Sequence, residues 1–527
     1  MKKKNILLSL LVLFLTLNSC DKFLEFEPYG QVNQLGNMTD DQAMQSVYAL
    51  FDWQYREGTM GRGFMWYENC SDNLITGRTQ AEAQNIKNFV DNGSTSRDVR
   101  DNWPKMYETI NYANQLVKSA PGATKLSEKV RNNVLGHAYF WRGFCYLWLA
   151  PWYGDNGPNG GIPIVTENTL IEDIDVPRPA SVLENYDMII EDLKKAGELL
   201  PYFDEIPTSQ WGLMHKTAAW SLVARAALYA AQYDNKYYDT VIEYADKVIN
   251  SGKHGLLPAY KGVFQIENNW SPEYIMSVTS TEVDGSKFPG VIFQNGGFGY
   301  YNTWGYYQPT VELYNAFEAG DKRRKVTIVA PGDTVMFIGN QIIWAVNPSS
   351  VSSPSAMTFG KYLDPFEEAD CVGKTVNPNS DNGTTDLNIP LVRYADVLLM
   401  KAEALIWKNG EGDAAAKELI NDIRERAGLP RNTQATKAQL KNERRCEFAL
   451  EFGVFRHLDL VRWGDAKAAY AQPLHGYKVN LSGNSVASLD IIEVWPARNF
   501  NPAIHHVFPI PTREIAKGVN LKQNQGY

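Results

Sequence analysis

The sequence predicts a mainly α-helical protein, in which a repeat-like helical scaffold carries one irregular, loop-rich insertion with short β-hairpins. Three observations predict it. Apolar residues recur at helical spacing over both ends of the chain. That periodicity fades between about residues 255 and 388, where Gly, Pro, Ser and Asn accumulate. Two stretches, 215–252 and 392–430, each read as a pair of helices joined by a short turn.

The first helix is predicted in "MTDDQAMQSVYALFDWQY", with Thr39 or Asp40 as N-cap and Ala43, Val47, Leu50 and Phe51 on one face. "WPKMYETINYANQLV" repeats the spacing with Met106, Ile110, Ala113 and Val117. In the long stretch after Glu128, Val134, Ala138, Trp141, Cys145 and Trp148 form one stripe, with Pro151 and Gly154 as its stop signals. A further helix over about 181–200 stops at Pro201. Of the two pairs, the first is alanine-rich and turns at Asp234-Asn235; the second turns at Asn409 to Gly412. Ala402 and Ala414 are spaced like the two small packing residues of a tetratricopeptide repeat, where helices approach closely. Trp141, Trp148, Trp220 and Trp463 lie on helical stripes and are assigned to the core. Within the insertion, "DTVMFIGNQIIWAV" reads as a hairpin turning at Gly339-Asn340.

The N-terminus carries Lys2, Lys3 and Lys4 and then an apolar run, Ile6 to Leu17, too short to span a bilayer. That is the pattern of an export signal. Its ending, Leu17-Asn18-Ser19-Cys20, resembles the lipobox of bacterial lipoproteins, in which Cys20 would be acylated and become the first mature residue; an ordinary secreted protein cut nearby is the alternative. The expected organisation is a signal peptide (1–19), a lipid-anchored linker (20–37), an N-terminal helical scaffold with a binding loop (38–254), the insertion (255–388) and a C-terminal helical scaffold (389–527). The formal charge of −9 becomes about −12 without the three leading lysines, which argues against nucleic acid as a partner. Cys70, Cys145, Cys371 and Cys446 show no C-x-x-C spacing for a metal; Cys145 and Cys446 fall in helical patterns and are expected to be buried thiols.

Residues 443–464, "ERRCEFALEFGVFRHLDLVRWG", are densely charged. Glu443, Glu447 and Glu451 fall at i, i+4 and i+8. Carboxylates stacked along one helix do not flank a sugar as a hydrolytic pair does, and Arg444, Arg445, Arg456 and Arg462 are near enough in sequence to neutralise them. Asp459 stands three residues from both Arg456 and Arg462. We expect a half-buried ion-pair network, not catalysis. His505 and His506 are expected on a structural strand, pointing to opposite faces, so they would not share one ion. No nucleophile, metal or phosphate motif is present in the sequence, and no cofactor is expected.

The same charged segment resembles the C-terminal signature of the RagB/SusD family of outer-membrane nutrient-binding lipoproteins. "IPLVRYADVLLMKAEAL" (389–405), "FCYLWLAPWYGDNGPNGGIPIV" and the ending "HHVFPIPTREIAKGVNLKQNQGY" resemble the family's other motifs in the same order. The resemblance implies a tetratricopeptide-like scaffold with an irregular ligand-binding region. It also implies a non-catalytic, lipid-anchored cell-surface protein that caps a TonB-dependent outer-membrane transporter (SusC-like) and hands it oligosaccharides. The alternative is mainly a structural lid for that transporter, with little glycan affinity of its own.

Sugar rings stack on aromatic faces and offer hydroxyls to amides, Asp and Arg. Two stretches mix these groups. In "NGGFGYYNTWGYYQP" (295–309) the candidates are Tyr300, Tyr301, Asn302, Trp304, Tyr306 and Tyr307, with Trp304 as the leading platform. In "GRGFMWYENCSDNLITGR" they are Trp66, Tyr67, Asp72, Asn73 and Arg78. Trp344, at the far end of the predicted hairpin, is a further candidate. The family resemblance implies that the loop after the first helix and the middle insertion converge on the ligand.

Overall fold

The computed structural model describes residues 35–55, 57–60, 67–77, 81–94, 101–173, 175–280, 307–346, 354–368 and 386–527. The predicted helical scaffold is present. Its main helices are α1 (Asp40–Tyr48), α2 (Asn102–Ser119), α3 (Glu128–Tyr153), α4 (Val182–Leu199), α5 (Lys216–Ala230), α6 (Tyr237–Asn250), α7 (Tyr394–Asn409), α8 (Ala414–Arg426), α9 (Lys437–Phe448) and α10 (Arg456–Arg462). The strands used below are β1 (Leu74–Thr76), β2 (Tyr274–Val278), β3 (Tyr307–Pro309), β4 (Thr334–Phe337), β5 (Asn340–Ile343), β6 (Ile389–Arg393), β7 (Leu474–Ser482) and β8 (Ser485–Trp495).

Local sequence sets the helix starts. Thr39 caps α1 in a reciprocal box with Gln42, Ser181 caps α4 with Glu184, and Thr436 caps α9 with Gln439. From α2 onward each helix packs on the next, α2 on α3 through α5 on α6, and α6 packs on α7 across the whole insertion. That is the nearest-neighbour logic of a repeat scaffold. Small residues let the axes approach: Ala218, Ala219, Ala224, Ala226 and Ala227 of α5 are fully buried. At Gly143 of α3, a Cβ would sit 2.9 Å from the Leu193 side chain of α4.

Several details differ from the sequence reading. Pro151 does not end α3; it lies in the last turn, and Gly154 is the C-cap. A proline there forfeits only one backbone bond near the helix end. In the second pair the buried small residue of α8 is Ala416, while Ala414 is exposed. The Asn409–Gly412 turn is as expected, with Gly410 and Gly412 at positive φ. The β4–β5 hairpin forms one residue out of the predicted register: Phe337 pairs with Asn340, so Ile338 and Gly339 make the turn, both at positive φ. The backbone N–H groups of Ile338 and Gly339 donate to Phe366 and Glu367 at 2.7 and 2.9 Å, which holds a β-branched residue in that conformation. His505 and His506 lie in turns, not on a strand. His505 accepts the Asn501 N–H at 2.9 Å, and His506 reaches Asp155 at 2.9 Å.

A long β7–β8 hairpin, absent from the elements predicted above, turns at Gly483-Asn484. β2 pairs antiparallel with β6, closing the start of the insertion onto its end. The closing motif is fastened from both sides: Asn524 donates to the Tyr153 and Phe508 carbonyls, and Arg178 donates to Asn524. Cys70, Cys145 and Cys446 are buried free thiols. Among the described residues no helix is long and apolar enough to cross a membrane.

The close α3–α4 contact is testable. Gly143→Ala adds one methyl where Leu193 already stands, and should cost about 1–3 kcal/mol in a urea melt, although alanine is the better helix former by about 1 kcal/mol. A net gain in stability would show that the helices have room to separate.

Candidate functional site

The two stretches expected to share the ligand are joined at their stems. β1 pairs antiparallel with β3, with Leu74 opposite Pro309, Ile75 opposite Gln308 and Thr76 opposite Tyr307. Thr76 leads toward Arg78, and Tyr307 is preceded by the aromatic stretch. The chain toward Arg78 and the aromatic stretch therefore leave the same end of one two-stranded ribbon, while Tyr67, Asp72 and Asn73 precede its other end. Trp66, Arg78, Tyr300, Tyr301, Asn302, Trp304 and Tyr306 themselves lie outside the described residues, as does Cys20.

All five candidates among the described residues are buried, which corrects the expectation that they face a ligand. Tyr67 stacks on Trp152 with ring centroids 4.5 Å apart, packs edge-on to Phe508, and shares a hydrogen bond with the Tyr153 hydroxyl. Its ring is walled in by the C-terminal turn of α3. Tyr307 is fully buried on β3. Trp344 has no exposed face, and its indole N–H donates to the Ala356 carbonyl at 2.8 Å. Asp72 forms ion pairs with Arg445 at 3.1 Å and Arg456 at 3.0 Å. Asn73 accepts from Arg445 Nε at 2.8 Å.

These contacts make a base for the ribbon. The Thr310 hydroxyl donates to the Asp72 carbonyl at 2.8 Å, and its N–H donates to the Asn73 carbonyl at 3.1 Å. The Gln308 side chain accepts the Ser355 N–H at 3.3 Å. Beneath, the fully buried Lys87 donates to the carbonyls of Asn69 at 2.8 Å and Leu74 at 2.6 Å. Arg498 donates to the carbonyl of Cys70. Burial alone would raise the Asp72 carboxyl, but Arg445 and Arg456 outweigh it and hold the group well below the usual carboxylate range. Glu68 forms no ion pair among the described residues, and Arg456 acts on it only weakly. Burial pushes its carboxyl up to about 8, opposed only in part by the hydrogen bond it accepts from the His457 N–H.

The charged signature is an ion-pair network in which the expected Asp459–Arg462 pair forms at 2.7 Å, while most other partners differ from those the sequence suggested. Glu443, Glu447 and Glu451 are buried and meet basic groups from distant segments. Arg323 reaches Glu443 at 2.6 Å and Glu447 at 3.1 Å. Arg393 reaches Glu447 at 3.0 Å, Glu451 at 2.7 Å and Glu273 at 2.6 Å. Lys361 reaches Glu451 at 2.7 Å, and Arg426 pairs with both Glu273 and Glu447. Glu451 lies beyond the end of α9, because Leu450 turns the chain at positive φ. Arg444 pairs with Asp396 and Asp459, and Arg462 with Glu403 and Asp459. Arg456 goes to Asp72 instead of Asp459. Lone sequence spacing could not have found Arg323, Arg393, Lys87 or Arg498, since each partner lies far away in the chain or on a backbone carbonyl.

Two mutations probe this base. Asp72→Asn leaves Arg445 and Arg456 buried without a carboxylate, and should cost roughly 3 kcal/mol or more in chemical denaturation. Glu68 gives a pH signature. Its carboxyl binds a proton more tightly in the native state, so its contribution is complete below the ordinary value of 4.5 and is lost as pH rises through about 8. The melting temperature of Glu68→Gln should therefore gain on that of the native sequence from about pH 5 to about pH 8. A constant difference across that range would mean that Glu68 is not buried in uncharged form.

With this geometry in hand, known proteins are informative. Residues 267–527 match the profile of the SusD family, and residues 22–228 match a profile described as starch-binding associating with outer membrane. The SusD-like protein P25 of Formosa agariphila is 23% identical over 501 residues, covering 88% of this chain and 90% of that one. The starch-binding protein SusD of Bacteroides thetaiotaomicron is 28% identical over 363 residues, 60% of this chain and 61% of its own. A SusD-like carbohydrate-binding protein from Bacteroides fragilis superposes with a TM-score of 0.75 at 22% identity, covering 93% of this chain and all of that one. The two profiles cover most of the chain in order, and the chain belongs to the SusD family.

Proposed function

We propose that the chain is a non-catalytic glycan-binding lipoprotein of the outer-membrane surface. It captures oligosaccharide and passes it to a TonB-dependent transporter. The observation that carries the binding site is the β1–β3 ribbon, which brings the stems of the Arg78 and Trp304 stretches to one end. The anchoring of Asp72 and Asn73 supports the same reading, because a rigid stem places loop residues precisely. The relatives named for starch or carbohydrate binding point to the ligand class. Binding without turnover is supported by the signature carboxylates, all of which are buried in ion pairs, with no pair left to act across a glycosidic bond. Acylation at Cys20 would tether the body, since two or more chains are needed for stable anchoring.

The test is a glycan array followed by titration calorimetry of the chain after residue 20 with the best oligosaccharide. Trp304→Ala should weaken binding about tenfold, roughly 1.4 kcal/mol, with the melting temperature unchanged and no shorter product by chromatography. Unchanged affinity removes Trp304 from the site. Binding seen only when the transporter is present favours a lid with little affinity of its own.

A further inference from the structure

A second aromatic surface lies far from the β1–β3 ribbon in the chain, on the connections flanking α5 and α6. Trp211 stands at 38% exposure, while most other tryptophans of the described residues pack into the body. Its ring lies 5.3 Å from Phe203 and 5.7 Å from Trp270, and Phe203 stacks on Trp270 at 6.0 Å with 17° between planes. The turn that presents Trp211 is fixed by short-range bonds: the Trp211 N–H donates to the Thr208 carbonyl, and Gly212 at φ +107 lies against Thr279. A narrow cleft adjoins the Phe203 and Trp270 rings, walled by Leu213, His215, Tyr274 and Met276.

The chemistry around the three rings selects a ligand class. Among the described residues, neither the Trp211 nor the Trp270 indole N–H has a protein acceptor, so both are free to donate. Thr208, Ser209 and Gln210 immediately precede Trp211; Thr208 and Ser209 are exposed and Gln210 is half-buried. Beside Trp270, the Ser271 hydroxyl is buried without a partner. Of the charges beside Phe203, Lys253 pairs with Asp204 at 2.5 Å, and the Glu205 carboxylate accepts the Tyr202 N–H at 2.8 Å. Lys216 lies over the rings of Tyr202 and Trp220. The floor is uncharged as well, because burial pulls His215 down to about 3. Aromatic faces with idle N–H donors and neutral hydroxyls match an uncharged ring that is apolar on its faces and polar on its edge.

We propose that Phe203, Trp211 and Trp270 form a second, independent stacking site for a neutral oligosaccharide. This rests on the glycan-binding reading above. Two sites on one tethered body would raise avidity for a long polysaccharide without any change at the first site.

The test uses the chain after residue 20, with the best binder from an array of neutral gluco-, galacto-, manno- and xylo-oligosaccharides, and the matching polysaccharide in affinity electrophoresis. Trp211→Ala should reduce polysaccharide retardation at least fivefold and remove one site from the calorimetric stoichiometry, while Trp211→Phe keeps both. Unaltered melting temperatures would show that the fold is intact. If Trp304→Ala abolishes binding and Trp211→Ala changes neither readout, the second site is wrong and the proposed function stands. If the chain binds nothing on the array, both fall. If Trp211→Ala leaves glycan binding intact but lowers co-purification with an outer-membrane barrel, the surface is a protein contact and the proposal is overturned.

Discussion

Arg393 holds three carboxylates at once, and the rest of the structure is arranged around that fact. Its guanidinium is fully buried at the end of β6 and touches Glu273, Glu447 and Glu451, which come from the edge of β2, from α9 and from the turn after α9. An arginine in such a place costs several kcal/mol of lost hydration. The cost is tolerable only because every carboxylate is shared again: Arg323 and Arg426 also take Glu447, and Lys361 takes Glu451. Burial alone would raise Glu447, but its three arginine neighbours overcome this and hold its carboxyl far below the usual range. Such a lattice has few alternative pairings that leave no charge stranded, so it fixes which strand meets which helix.

The same segment also fixes the foot of the β1–β3 ribbon. Successive residues on a helix point about 100° apart, so neighbouring arginines on α9 serve different elements. Arg444 turns inward to Asp396 and Asp459 of the scaffold. Arg445 turns to Asp72 and Asn73 at the foot of the β1–β3 ribbon. Arg456, at the start of α10, closes the pair on Asp72. A charged signature that reads like an active site is therefore the joint between scaffold and ribbon.

Much of the scaffold was legible because helix periodicity, capping residues and turn glycines are local. Thr39, Ser181 and the Gly410–Gly412 turn all behave as their sequence implies. Errors arose where tertiary contacts decide. The β4–β5 turn moved by one residue because the backbone of Phe366 and Glu367 supports Ile338 in a left-handed conformation. The β7–β8 hairpin carried a readable signal, alternation around Gly483-Asn484, that went unused. At the candidate site, composition does not tell a buried side chain from an exposed one. Tyr67, Asp72, Asn73, Tyr307 and Trp344 look like ligand groups in sequence, because aromatic, amide and acidic residues build stems as readily as platforms. Only the position of Arg445, Arg456 and Trp152 in space tells the two roles apart.

In the proposed function, Asp72, Asn73 and Tyr307 belong to a buried stem, and the stretches beyond it meet the ligand. The most direct measurement is a crystal structure of the chain after residue 20 soaked with its best-binding oligosaccharide. The account predicts sugar density beyond the Thr76–Tyr307 end of the ribbon, with a ring against Trp304, Arg78 within hydrogen-bond reach, and the Asp72 ion pairs unchanged. Density that displaces Arg445 or Arg456 from Asp72, or that lies only at the opposite end of the ribbon, would contradict it.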